Sequence, residues 1–102
     1  MYDLKNLGKM KHLELNAPEA MKGFVAFDKA AFAEGAIPVK YKELMAVAVA
    51  CTTQCPYCIA LHTDKARKMG ASDQEIAEAV LVAAALRAGG AITHGTQAMR
   101  EV

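Results

Sequence analysis

Three cysteines, Cys51, Cys55 and Cys58, fall within eight residues, and His62 follows the last of them after one helical turn. Cys55 and Cys58 are three apart, so on a helix they share a face. That spacing lets the two sulfurs meet in disulfide geometry. A dithiol that opens and closes in place suits the reduction of peroxides or disulfides: one thiolate attacks, and the second thiol resolves the product into a disulfide. His62 can take a thiol proton or stabilise a thiolate. Apart from His62 itself, Glu43 is the only ionisable acid or base between Lys42 and Asp64 other than the cysteines and Tyr57. A buried carboxylate needs a partner, and a hydrogen bond to His62 would satisfy it and orient the imidazole. The plainer alternative is a glutamate in the first turn of a helix, favoured there by the macrodipole.

Other groupings of these residues carry less. A single zinc needs its four ligands within about 2.0–2.3 Å. On one continuous helix Cys51, Cys55, Cys58 and His62 would span about 16 Å, so only a sharp break at Thr52-Thr53-Gln54 could gather them. Cys51 taken alone reads as a small buried apolar residue. Tyr57 reads equally as a pocket wall or a core side chain. His12 and His94 read as surface or interface residues.

The elements that must position these groups are helical throughout. No run of alternating β-branched residues and no Asn-Gly or Asp-Gly turn is present. The pattern predicts a short helix over Asp3 to Leu13. A second opens at Asn16, with Glu19 completing a capping box, and carries Met21, Phe24, Val25, Ala31 and Phe32 on its apolar face. Gly35 and Pro38 stop it. A third helix starts near Pro38 and weakens at Thr52-Thr53-Gln54. A fourth starts at Cys55-Pro56 and ends at Gly70. Ser72 and Glu75 form a capping box that opens a fifth helix, expected to end near Ala88 where Gly89-Gly90 punctuates. A last helix is expected over Thr93 to Arg100.

With 102 residues, the chain makes one domain over residues 1–102. Its 54% hydrophobic share is more apolar surface than a small monomer easily hides. The stretch Ala79 to Leu86 is apolar on every side, which calls for cover from a neighbouring subunit or a central place inside one subunit. Mixed charges with a net of +1 do not suggest nucleic-acid binding. The apolar run Leu44 to Ala50 is far shorter than the roughly 20 residues of a membrane span, and the N-terminus lacks a signal-peptide core. A soluble, cytoplasmic protein is expected. Clustered cysteines in such a chain point to redox or metal chemistry and not to structural disulfides.

Glu43, then Cys55-x-x-Cys58-x-x-x-His62, then Gly70 and an acid-capped helix resemble the AhpD-type alkylhydroperoxidase branch of the carboxymuconolactone decarboxylase family. The likeness runs from about Pro38 to Gly95, through ELMAVAVACTTQCPYCIALHTDKARKMGAS and ALRAGGAITHG. It implies an all-α fold of five to six helices, assembled as a homo-oligomer, a trimer or hexamer. It also implies a catalytic set in which Cys58 attacks peroxide, Cys55 resolves and meets the reductant, and Glu43 and His62 relay the proton. No metal or organic cofactor is implied. The implied reductant is a dithiol, either protein-bound dihydrolipoamide or a thioredoxin-like protein. The best-known members carry a histidine between the two cysteines, where this chain has Tyr57.

Two further enzyme readings and one non-enzymatic reading stand beside this one. The decarboxylase side of the same family acts on a lactone and does not depend on a CxxC pair. Cys51-x-x-x-Cys55-x-x-Cys58 also matches the spacing of radical SAM enzymes, but that motif needs a βα barrel too large for 102 residues. A redox-sensing oligomer would oxidise once where an enzyme would cycle.

Overall fold

Local end signals decide where the helices of this chain begin and stop. A computed structural model describes residues 2–102. It shows a 3-10 turn at Leu4–Lys9, α1 (Met10–Asn16), α2 (Pro18–Phe32), α3 (Val39–Thr53), α4 (Pro56–Lys68), α5 (Asp73–Gly95) and a closing 3-10 turn at Thr96–Ala98. There is no strand among the described residues, and the expected all-α fold is what the chain adopts.

The predicted ends of α3, α4 and the start of α5 are found. Pro38 precedes α3, and Pro56 takes the first turn of α4, where its missing N–H costs nothing. Gln54 ends α3 in the left-handed region (φ 57°), and the Cys55 N–H donates back to the Ala50 carbonyl at 3.1 Å. Gly70 (φ 94°) ends α4 in a Schellman arrangement: the Ala71 N–H reaches the Ala66 carbonyl at 2.9 Å, and the Gly70 N–H the Arg67 carbonyl at 3.0 Å. Ser72 and Glu75 form both bonds of the capping box that opens α5.

Three expected boundaries differ. Asn16 does not cap α2. It ends α1 and donates from Nδ2 to the His12 carbonyl, while Ala17 takes the cap position. Pro18 is the reason: it fixes the first helical turn and pushes the residue just before it out of helical geometry. The first predicted helix is split, with a 3-10 turn capped by the Asp3 carboxylate before α1 begins. Gly89-Gly90 does not punctuate. Two glycines cost about 1 kcal/mol each in a helix interior, too little to break a helix already propagating through alanines on both sides. So α5 absorbs the residues expected to start a last helix.

α3 packs against both α4 and α5, and α1 packs on α2. The core lies along α3: Val47 and Ala50 are buried there, with Ala66, Ala71 and Ala83 from the neighbouring segments. Two side chains brace the 33–38 link. The Lys42 ammonium donates to the Ala31 and Ala33 carbonyls at 2.9 and 2.6 Å, and the Glu34 carboxylate accepts from the Val39 N–H at 2.9 Å. These satisfy orphan groups at the end of α2 and the start of α3.

Lys40 and Glu75, 2.9 Å apart, tie α3 to the first turn of α5. The Ser72 N–H and then the Lys40 ammonium hold Glu75 below its ordinary 4.5. Its bond to Glu75 holds Lys40 above 10.5. The pair therefore stabilises the fold fully between those two ordinary values. The contribution is lost as pH falls through the lowered carboxyl pKa or rises through the raised amine pKa. Exposure to solvent keeps it small. In Glu75→Gln, urea midpoints taken down the acid limb are expected to fall less steeply with pH than in the parent. Identical slopes would remove Glu75 as a contributor.

Much apolar surface stays uncovered. Leu81, Leu86 and Ile92 on α5 are 65%, 68% and 72% exposed, and only Ala83 of that helix is buried. The stretch Ala79 to Leu86, expected to be covered, is thus open along Leu81, Val82 and Leu86 in the single chain. Phe24 and Phe27 on α2 are open as well. The chain measures 58 × 33 × 31 Å, with a radius of gyration of 17.3 Å, against about 13 Å for a compact chain of this length. Its accessible surface, 7961 Å², exceeds the about 5,600 Å² of a compact monomer of this mass. Because α5 is unbroken, the apolar run Leu44 to Ala50 is not the longest in the fold. The stretch Asp73–Ala98 is long and apolar enough to cross a membrane by length and composition.

Candidate active site

All four residues singled out in the sequence lie on the α3–α4 hairpin. Glu43 stands in the second turn of α3 and is 3% exposed, the one charged side chain buried among the described residues. Such a group must be partnered, and His62 of α4 is the partner: its Nδ1 lies 2.7 Å from Glu43 Oε1 and 3.4 Å from Oε2. A carboxylate on Nδ1 holds the ring proton there and leaves Nε2 as the free base.

Cys55 and Cys58 form a disulfide, with their Cα atoms 5.3 Å apart. Cys55 is the N-cap of α4, and its Sγ accepts the Cys58 N–H at 3.2 Å. The two sulfurs therefore sit in different settings. Cys55 rests at the positive end of a helix with a donated N–H, which favours a thiolate. Cys58 lies one turn before His62 on the same face. Both are half-buried.

Cys51, in the last turn of α3, is a free, half-buried thiol. It lines a cavity of about 190 Å³ against Val80, Ala83, Ala84 and Arg87 of α5. The fully buried place expected for Cys51 is thus not found: the thiol is half-buried and borders open space. No group of three or more His, Cys, Asp and Glu side chains is placed to hold a metal ion among the described residues.

Phe32, which sequence reasoning took only as part of an apolar face, belongs to this site. Its ring stacks on the His62 imidazole, with centroids 5.0 Å apart and planes 10° from parallel. With Glu43 fixing one edge and Phe32 one face, the imidazole has little freedom left. Its place at the C-terminal end of α2 was the only signal, and spacing cannot show which helix a phenylalanine will meet.

Tyr57, between the two cysteines, points toward the N-terminal segment. Its hydroxyl accepts from Asn6 Nδ2 at 3.0 Å, and its ring meets the Tyr2 ring edge-on with centroids 5.8 Å apart.

Known proteins resemble this chain over most of its length. A family model described as the carboxymuconolactone decarboxylase family matches residues 18–101. The chain is 49% identical over 76 residues to "Uncharacterized protein 4 in cox locus" of Paracoccus denitrificans, covering 74% of this chain and 68% of that one. It is 32% identical over 82 residues to an uncharacterized protein of Cupriavidus necator, covering 80% and 73%. Among solved structures, a structural-genomics target from Methanobacterium thermoautotrophicum superposes with a TM-score of 0.81 at 32% identity, over 86% of this chain and 99% of the other. An apo carboxymuconolactone decarboxylase family protein from Legionella pneumophila gives 0.77 at 31%, over 92% and 84%.

Proposed function

The chain belongs to the carboxymuconolactone decarboxylase family, and from that premise we propose that it is a thiol-dependent oxidoreductase of the alkylhydroperoxidase type. The observation that carries this reading is a disulfide-forming pair, Cys55 and Cys58, one turn from an imidazole held by a buried carboxylate. A lactone-decarboxylating member has no use for the disulfide, which tips the choice within the family.

In the reaction, His62 Nε2 takes the Cys58 thiol proton while Glu43 stabilises the charge on the ring. The Cys58 thiolate attacks one peroxide oxygen, breaking the O–O bond. Cys58 becomes a sulfenic acid, and the departing alkoxide takes the proton back as an alcohol. The Cys55 thiol then attacks the Cys58 sulfur, expels water and closes the disulfide. An external dithiol, either lipoamide-type on a carrier protein or thioredoxin-like, attacks Cys55 and releases Cys58. Its second sulfur then displaces Cys55 and leaves as a disulfide. The N–H donated to Cys55 eases that last departure, since a stabilised thiolate leaves faster. In sum, peroxide and dithiol become alcohol, water and disulfide.

The working form is a homo-oligomer, a trimer or hexamer. Support comes from the open apolar faces of α2 and α5 and from a surface roughly 2,400 Å² larger than that of a compact monomer. A standard interface takes about 800 Å² from each partner, so one two-fold contact would not cover it.

Intact mass with thiol counting tests the cycle. After a brief hydrogen peroxide pulse on the reduced protein, loss of two hydrogens, restored by dihydrolipoamide, is the expected result. Oxygen addition, or Cys55 and Cys58 still free beside Cys51, would remove the proposal. His62→Ala is expected to slow alkylation of Cys58 near neutral pH and to cut peroxide turnover by about 100-fold. Equal alkylation rates in variant and parent would mean that the imidazole does not act on this sulfur.

A further inference from the structure

The proton relay leaves Tyr57 unused, although it stands between the two cysteines. What Tyr57 does in the structure is hold the N-terminal segment against the first turn of α4. Asn6 donates to its hydroxyl across 51 positions of sequence, and Tyr2 packs edge-on against its ring. The segment is itself shaped for this contact. The Asp3 carboxylate accepts from the Lys5 N–H at 2.9 Å, and the Asp3 carbonyl accepts from the Asn6 N–H at 2.8 Å, so Asn6 is fixed in a capped turn. Yet neither this turn nor α1 buries a residue fully. A strap with so little apolar anchorage opens at small cost. It lies at the end of α4 where Cys55 is the cap, and Cys55 is the sulfur that the reductant attacks in the proposed cycle.

We propose that Tyr57, Asn6 and Tyr2 form a gate that sets which thiol donors reach the disulfide. The inference rests on the redox reading above and assigns these three as specificity-determining positions. A slender dithiol, small or carried on a flexible arm, reaches Cys55 past the closed strap. A folded protein donor must lay a broad surface around its thiol and needs the strap displaced. Electron flow is the same in both cases: the donor's two thiols become a disulfide, and Cys55 and Cys58 become thiols.

The test uses the oxidised full-length protein and follows only disulfide reduction, by dithiothreitol and by a thioredoxin-type protein dithiol. Because no peroxide is used, a chain that failed to turn over peroxide would still give the strap's result. In Asn6→Ala combined with Tyr2→Ala, the rate with the protein donor is expected to rise about tenfold, the scale on which hydrogen bonds and aromatic pairs contribute. The dithiothreitol rate should hold within about a factor of two, the margin left once neither contact stands in the way. Tyr57→Phe, which removes one oxygen and keeps the ring, should give a smaller rise with the protein donor alone. Rates with both donors that move together, or neither moving, would overturn the gate. A selective rise that Asn6→Ser partly reverses would establish it, since a merely loosened fold changes no ratio between donors.

Discussion

Peroxide consumption is expected to fall to background in Cys58→Ser, by at least about a thousandfold, the scale of losing a covalent nucleophile. The serine hydroxyl one turn before His62 is too weak an acid to take the thiolate's place. Cys55→Ser is expected to behave differently. Cys58 still reacts once, but the sulfenic acid has no resolving partner, so a single turnover should leave a product that dimedone traps. The pair of variants separates attack from resolution, and it bears on a real tension in the site. The helix cap favours a thiolate on Cys55, while the proposed relay has the imidazole, held by Glu43, serve Cys58. If dimedone instead labelled Cys55 in Cys58→Ser, the two roles would be exchanged. Parent-like turnover in either variant would remove the dithiol mechanism altogether.

The second large effect is expected at Glu43. In Glu43→Gln the side chain keeps its shape and an acceptor for the Nδ1–H, but the charge that stabilises a protonated ring is gone. Turnover is expected to drop by about 100-fold, with little loss of stability. Glu43→Ala should add a folding defect of about 1–3 kcal/mol, because the imidazole N–H is then left unpaired in a half-buried place. Urea midpoints and peroxide rates on both variants distinguish the roles. A glutamine variant with full activity would make Glu43 a structural partner only, whatever the alanine variant does to stability.

How much of this was legible in the residues follows from the range of the interactions. Helix ends are local events, so Pro38, Pro56, Gly70 and the Ser72–Glu75 box could be read from single positions. The site on α3 and α4 was legible because the resemblance joined Glu43 to the cysteines and His62; spacing alone left Glu43 open between a relay partner and a first-turn carboxylate. Where two local signals competed, the weaker rule misled. Asn16 looked like a cap, but Pro18 decided the start of α2. Gly89-Gly90 looked like a stop, but a propagating alanine-rich helix carried through. Phe32 on His62 and Asn6 on Tyr57 were not legible at all, since they join residues 30 and 51 positions apart through tertiary packing. Periodicity marks which face of a helix is apolar and says nothing about the helix it will meet.

The placement of all four site residues on one helical hairpin has a kinetic consequence. Glu43 and His62 are 19 positions apart, and the turn between their helices is closed by a single left-handed residue, Gln54. Contacts of such short loop span have a low closure entropy, and helical pairs of this kind form on microsecond to millisecond timescales. The hairpin can therefore assemble early in folding, ahead of the longer-range contact between Asn6 and Tyr57. The candidate site is built into a nearest-neighbour module of the chain, so a partner on α5 would add shelter to a site already in place.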